Sequence, residues 1–232
     1  MLGLGANIGA SPKQFSLNDI DNLKLYLKNG VGVTVGQWDD SSGEGNHAIQ
    51  ENVNLQATVT QGGLDFEATN PEDFYVISAI AAGEQVGFTL FIVCDLETDN
   101  GNKVIIGEGT GAENFIEFRN GNSVRIVAGG AAIQDIVPNA NDSFALENGK
   151  FLMTMTRAAG GGGGLALWAN GVSLPLAAPK KTTTAFNFDT LGMRNDQRFF
   201  DGIIHELAFY TKTLNDEELT DAHRHLISKH GL

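Results

Sequence analysis

Residues 191–219 read LGMRNDQRFFDGIIHELAFYTKTLNDEEL, and the alternation at their centre decides the fold. Side chains of a β-strand alternate between its two faces. That period places Phe200, Gly202, Ile204, Glu206, Ala208 and Tyr210 on one face and Ile203, His205, Leu207 and Phe209 on the other. Both faces are apolar, which predicts a strand covered on both sides. Glu206 is the exception, and a carboxylate there needs a partner, because an unpaired buried charge is costly. Beyond the strand, Asn215 and Glu218 have the spacing of a capping box. Asp216, Glu217 and Glu218 put negative charge where a helix dipole favours it. Leu219, Ala222, Leu226 and Ile227 make one apolar stripe, Lys229 and His230 suit the last turn, and Gly231 suits the C-cap.

Upstream, short runs rich in aromatic and β-branched residues recur between turn signals. Leu23 to Leu27, Asn46 to Gln50, Gly63 to Phe66, Phe74 to Ile77, Phe88 to Leu96 and Val104 to Ile106 read as strands. Phe115 to Arg119 and Ser123 to Ala128 flank Asn120-Gly121, a hairpin signal. Phe151 to Arg157 and Leu165 to Asn170 form a further hairpin around the glycine run 160–164, and Phe188 to Met193 leads into the closing strand. Many short strands with one terminal helix predict an all-β, two-sheet antiparallel sandwich. Residues 1–18, small and polar, read as an extended N-terminal arm in which Ser16 to Asp19 could cap one helical turn; residues 19–232 form the sandwich.

A second stretch, Trp38-x-Asp40-x-Ser42-Gly43-x-Gly45-Asn46-His47-Ala48, is dense in turn formers behind one large aromatic. With the closing strand, it resembles the concanavalin A-like, laminin-G-like jelly-roll domains of phage virion proteins and extracellular lectin-like modules. In that family a W-x-D-x-S-G-x-G-N-H-A segment follows the first strand, and an F-x-G-x-I-x-E-L-x-x-Y strand with a capped helix closes the fold. Leu167 to Gly171 also resembles the family's Asn-Gly hairpin. The likeness runs from about Leu23 to the C terminus and makes Trp38, Asp40, Asn46, Gly202 and Glu206 structural motif residues.

The charge balance narrows the partners. With 15 basic and 28 acidic residues, the net charge of −13 argues against nucleic acid or an anionic membrane. Cys94 is the single cysteine, so no internal disulfide forms. The N terminus lacks the basic and apolar regions of a secretory signal, and the longest apolar run, 77–94, is interrupted by Gly83, Glu84, Gln85 and Gly87.

No catalytic constellation stands out. Glycosidases need two acids flanking the scissile bond, and no E-x-D-x-E strand is present. There is no nucleophile elbow and no H-x-x-x-H pair. The glycine run lacks the Lys-Ser/Thr and helix of a phosphate loop. No cofactor is expected; calcium is the one ion for which loops offer oxygens, at Asp39, Asp40, Glu44 and Asn46, at Asp95, Glu97, Asp99 and Asn100, and at Asn195 and Asp196. Asp40, with Ser42 and Asn46, reads first as a turn-holding residue. Trp168 is the candidate glycan contact, whereas Trp38 reads as core. The resemblance implies a non-enzymatic virion protein assembled in a host cytoplasm, with head decoration preferred to a tail or fibre position. Other virion proteins would bind through the arm, in a homo- or hetero-oligomeric particle. The alternative is a carbohydrate-binding module for host cell-surface glycans, and a glycan-active enzyme ranks last.

Overall fold

A computed structural model describes residues 14–69, 72–97, 101–119, 123–130, 132–136, 149–160 and 162–232. In chain order its strands are β1 (Leu23–Leu27), β2 (Gln37–Trp38), β3 (Ala48–Ile49), β4 (Thr58–Thr60), β5 (Gly63–Phe66), β6 (Tyr75–Ala82), β7 (Phe88–Leu96), β8 (Asn102–Gly107) and β9 (Phe115–Arg119). There follow β10 (Ser123–Ala128), β11 (Ala132–Ile136), β12 (Phe151–Arg157), β13 (Leu165–Ala169), β14 (Val172–Leu174), β15 (Phe186–Leu191), β16 (Met193–Arg194), β17 (Arg198–Phe199) and β18 (Gly202–Tyr210). One helix, α1 (Asp216–His230), closes the chain. The first sheet runs β14-β13-β12-β7-β18-β5-β4, with β1 also on β18; the second runs β11-β10-β9-β8-β15-β6-β3-β2. Every pairing is antiparallel. The expected sandwich is therefore present. The turn residues Asn120 and Gly121 lie outside the described residues, but β9 and β10 pair as their hairpin requires.

The closing strand departs from simple alternation. Ile204 faces Cys94 on β7, yet Glu206 faces Val93, so one residue, His205, is extra. A bulge of this kind turns two consecutive side chains to one face and shifts everything after it. Phe200, Ile204, Leu207 and Phe209 consequently share the core between the sheets. Ala208 and Tyr210 join a second apolar layer beneath α1. The even alternation read from the sequence holds before residue 205 and inverts after it.

The bulge also divides the neighbours of β18. Its first half pairs with β5 through Gly202 to Ile204, and its second half pairs with β1 through Leu207 to Tyr210. Asn29 spans the gap, donating from Nδ2 to the His205 carbonyl at 3.2 Å and to the Gln61 carbonyl at 3.0 Å. Two glycines are required here. A Cβ on Gly63 would sit 2.2 Å from the Ile204 carbonyl, and one on Gly202, whose φ is +128°, would sit 2.3 Å from the Asp95 carbonyl.

The helix seals the outer face of the first sheet. Asn215 accepts from the Glu218 N–H and Glu218 accepts from the Asn215 N–H, both at 3.0 Å, and Gly231 ends the helix in the left-handed conformation. Leu219, Ala222 and Leu226 pack on Phe91, Val93, Leu152 and Tyr210. Residues 1–13 of the expected arm lie outside the described residues. Its last residues are packed: Leu17 is buried, Phe15 is half-buried against the same layer, and Ser16 and Asp19 form a capping box around a single 3-10 turn.

Glu206 locks this layer. It is 1% exposed and accepts hydrogen bonds from Tyr26 Oη, Lys229 Nζ and His230 Nε2, each at 2.6 Å. Burial works to raise its pKa, but the bonds from His230, Lys229 and Tyr26 outweigh it and hold the carboxylate below its usual range. Removing one member of such a buried network leaves charge uncompensated. Glu206→Ala is therefore expected to cost about 3–5 kcal/mol, and Glu206→Leu, which refills the volume, to cost less. Chemical denaturation of both variants checks the order.

Candidate functional site

Asp40 organises the turn between β1 and β3. Its Oδ1 accepts from the Tyr26 and Ser42 N–H groups at 2.8 and 2.9 Å, and its Oδ2 accepts from Ser42 Oγ and the Asn46 N–H at 2.7 and 2.9 Å. Asn46 Nδ2 donates to the Lys24 carbonyl at 2.8 Å. The carboxylate is saturated by the turn it holds, so it has little left to offer a metal. Trp38, fully buried, lies in the core and donates to the Lys28 carbonyl at 3.2 Å.

The same turn orients a donor. The Asp40 N–H donates to His47 Nδ1 at 3.1 Å, with Asp39 Oδ1 3.4 Å from the same nitrogen, and an Nδ1 that accepts this bond leaves the ring proton on Nε2. His47 lines a groove of about 530 Å³ together with Glu51, Phe74, Val76 and Ser78. Ile49 and Val76, opposite one another across β3 and β6, form its apolar floor and are 39% and 52% exposed. Phe74 leans on Phe199, with ring centroids 6.4 Å apart. Gln50 sits beneath, its amide bonded to the Phe74 carbonyl and the Asn52 N–H. Sequence reading named the turn but missed the groove, since Phe74, Val76 and Ser78 come from a strand far along the chain.

A second groove, of about 470 Å³, runs between Phe15 and the outward face of α1. Gln14, Lys28, Asp221, Arg224, His225, Ser228 and Lys229 line it. Phe15 meets His225 edge-on at 5.7 Å between centroids. Trp168, the expected glycan contact, is placed differently. It is half-buried beside α1, with its ring 6.3 Å from that of His223, and it lines neither groove.

The acidic candidates regroup. Asp95 bonds to buried His205 at 2.9 Å, and Asn195 and Asp196 form the left-handed turn between β16 and β17; Asp99 and Asn100 lie outside the described residues. Glu97 instead meets Glu67 and Asp201, with one carboxylate oxygen from each within 4.8 Å of the others. These residues sit at the adjoining ends of β5, β7 and β18 and line neither groove. They offer oxygens suited to a hard cation, but only three of the six to eight ligands calcium takes. Lys103 Nζ bonds Asp201 Oδ2 there. Elsewhere Glu117, fully buried, lies 3.5 Å from Arg194 Nε, 3.7 Å from Arg125 and 3.8 Å from Arg119. Burial raises its pKa against the pull of those arginines.

No family model matches the chain, and no curated protein matches it in sequence. Solved structures do. The receptor-binding domain of a botulinum neurotoxin C/D mosaic serotype superposes with a TM-score of 0.63 at 14% identity, over 90% of this chain and 52% of that one. The binding domain of botulinum neurotoxin DC in complex with SialylT superposes at 0.62 and 16% identity, over 91% and 52%. The Trypanosoma rangeli sialidase in complex with 2,3-difluoro-KDN superposes at 0.60 and 15% identity, over 90% and 33%. These likenesses show the fold alone, a two-sheet antiparallel β-sandwich. This chain spans about half the length of the toxin domains and a third of the sialidase.

The acidic rim generates a prediction with a definite sign. Burial, followed by the charges of Asp65, Glu67 and Asp201, raises the pKa of Glu97 against the pull of Lys103. A carboxyl raised on folding adds stability below its unfolded pKa and loses it as pH climbs through the folded value. At pH 7, Glu97→Gln should therefore raise Tm by about 1–2 °C. The gain should vanish near pH 4 and shrink in high salt; melting curves at two pH values and two salt concentrations measure it.

Proposed function

We propose that this chain is a non-catalytic recognition module that binds carbohydrate in the groove between β3 and β6. The observation that carries the reading is the make-up of that groove. An apolar floor of Ile49 and Val76 lies beside an oriented His47 Nε2–H, the Ser78 hydroxyl and the Glu51 carboxylate. A pyranose ring offers C–H faces and hydroxyl edges, and such a groove meets both. Its size suits one or two sugar rings, and its polar groups are few and fixed, as binding sites require. A donor held in place by the Asp40 turn loses little freedom on binding.

The structural likenesses support the same class. Several similar chains are toxin binding domains, one bound to SialylT, and another comes from work on neurotoxin type C and two ganglioside molecules. Against an enzyme, no second carboxylate accompanies Glu51 among the groove's lining residues. The resemblance of the Trp38 turn and the β18 strand to phage modules supports a place for this module on a tailed-phage particle, held by other virion proteins through the segment before Gln14. Surface glycans of the host would then be its targets.

A glycan array spanning neutral and acidic sugars tests the reading. The protein should retain a defined sugar class without releasing reducing sugar. Val76→Asp and Ser78→Arg should weaken retention by about tenfold or more, equivalent to 1.4 kcal/mol, with unchanged melting temperatures. Retention of no sugar at all would overturn the proposal.

A further inference from the structure

We propose that the groove between Phe15 and α1 is a separate subsite for the acidic group of a glycan, a carboxylate or a sulfate. This rests on the reading of the chain as a glycan-binding module, but on different residues. The chain carries 28 acidic and 15 basic residues, so an acidic sugar is repelled from most of its surface. Three of those basic residues, Lys28, Arg224 and Lys229, converge on this one groove, against a single lining carboxylate, Asp221.

Their availability differs in a useful way. Lys28 has no ion-pair partner among the described residues and is half-buried, at the end of β1. Among the described residues Arg224 is bound only to its helix neighbour Asp221 at 2.7 Å, on side chains that are 71% and 36% exposed, a pairing that solvent-exposed groups exchange readily. Lys229 is engaged with Glu206, which fixes its ammonium at the groove wall. The field they create registers on His225, which sits among them. Burial holds its pKa below the ordinary value, Glu206 pulls the other way, and Lys229, Lys28 and His230 push it down further.

The remaining lining matches a sugar that carries the charge. Ser228 adds a hydroxyl, and Phe15, half-buried and braced edge-on by His225, adds an apolar wall for a ring face. At about 470 Å³ the groove exceeds the need of a bare anion. The chain's own first 13 residues, MLGLGANIGASPK, contain no aspartate or glutamate and so cannot supply the anion.

Titration calorimetry on the full chain tests this, using N-acetylneuraminic acid, glucuronic acid and a sulfated disaccharide, with lactose as the neutral arm. Inorganic sulfate and an acidic peptide serve as controls. The acidic sugars should bind in a salt-sensitive manner and shift the His225 ring resonances. Lys28→Glu and Arg224→Glu should each weaken them roughly tenfold while leaving lactose unaffected. Lys28→Gln, with milder loss, guards against a folding artefact. Acidic sugars that bind equally well to both variants would place the anion elsewhere and overturn the subsite while the glycan reading stands. Binding of lactose alone would do the same. Sulfate or the acidic peptide binding more tightly than every acidic sugar would also overturn it. Binding of no sugar in any arm would remove both readings.

Discussion

The structure depends on one buried carboxylate at a strand irregularity. Glu206 is carried to the outer face of the first sheet by the bulge at His205, and there it meets the last turn of α1 and the Tyr26 hydroxyl. Without the bulge, Glu206 would continue on the face of Ile204, inside the apolar layer between the sheets. With it, the carboxylate faces the Lys229 ammonium and the His230 ring in the last turn of the helix. Three charge-assisted bonds in a site shielded from water are worth far more than the same groups at the surface. The helix is thereby fixed at its C-terminal end, while its capping box and apolar stripe fix the rest.

That attachment shapes the surface on both sides. The outward face of α1 becomes one wall of the cationic groove, and Lys229 belongs both to the lock and to the wall. Tyr26 connects the lock to the groove between β3 and β6: its hydroxyl bonds Glu206, and its N–H bonds Asp40, which holds the turn that orients His47. A chain of direct contacts thus runs from α1 through β1 to the β3–β6 groove. The two grooves rest on a common frame rather than on independent loops.

Much of this frame is legible in the residues. The β18 run, the Asn215 cap, the strand Phe88–Leu96 and the Trp38 turn are local patterns, and they appear where the patterns put them. The bulge is not legible, because a run that is apolar on both faces gives no sign of a one-residue slip. Nor are the grooves and the acidic rim. Glu67, Glu97 and Asp201 are distant in sequence and meet only because β5, β18 and β7 are neighbours in the sheet. Trp168, whose amphipathic character suggested a glycan contact, lies half-buried with the His223 ring 6.3 Å away, a neighbour that its local sequence does not show. Arg157 is a further surprise: fully buried at the end of β12, it donates to the carbonyls of Gly83, Val86 and Thr184 and has no acidic partner among the described residues. Burial lowers its pKa to about 10.

The central claim is that Glu206 pins α1 to the sheet. Hydrogen–deuterium exchange on the wild type and on Glu206→Gln tests it most directly, because exchange reports local opening segment by segment. The account predicts that the amide substitution accelerates exchange selectively in the C-terminal half of α1 and along β1, while β7 and β12 stay protected. Equal protection of α1 in both proteins would contradict it.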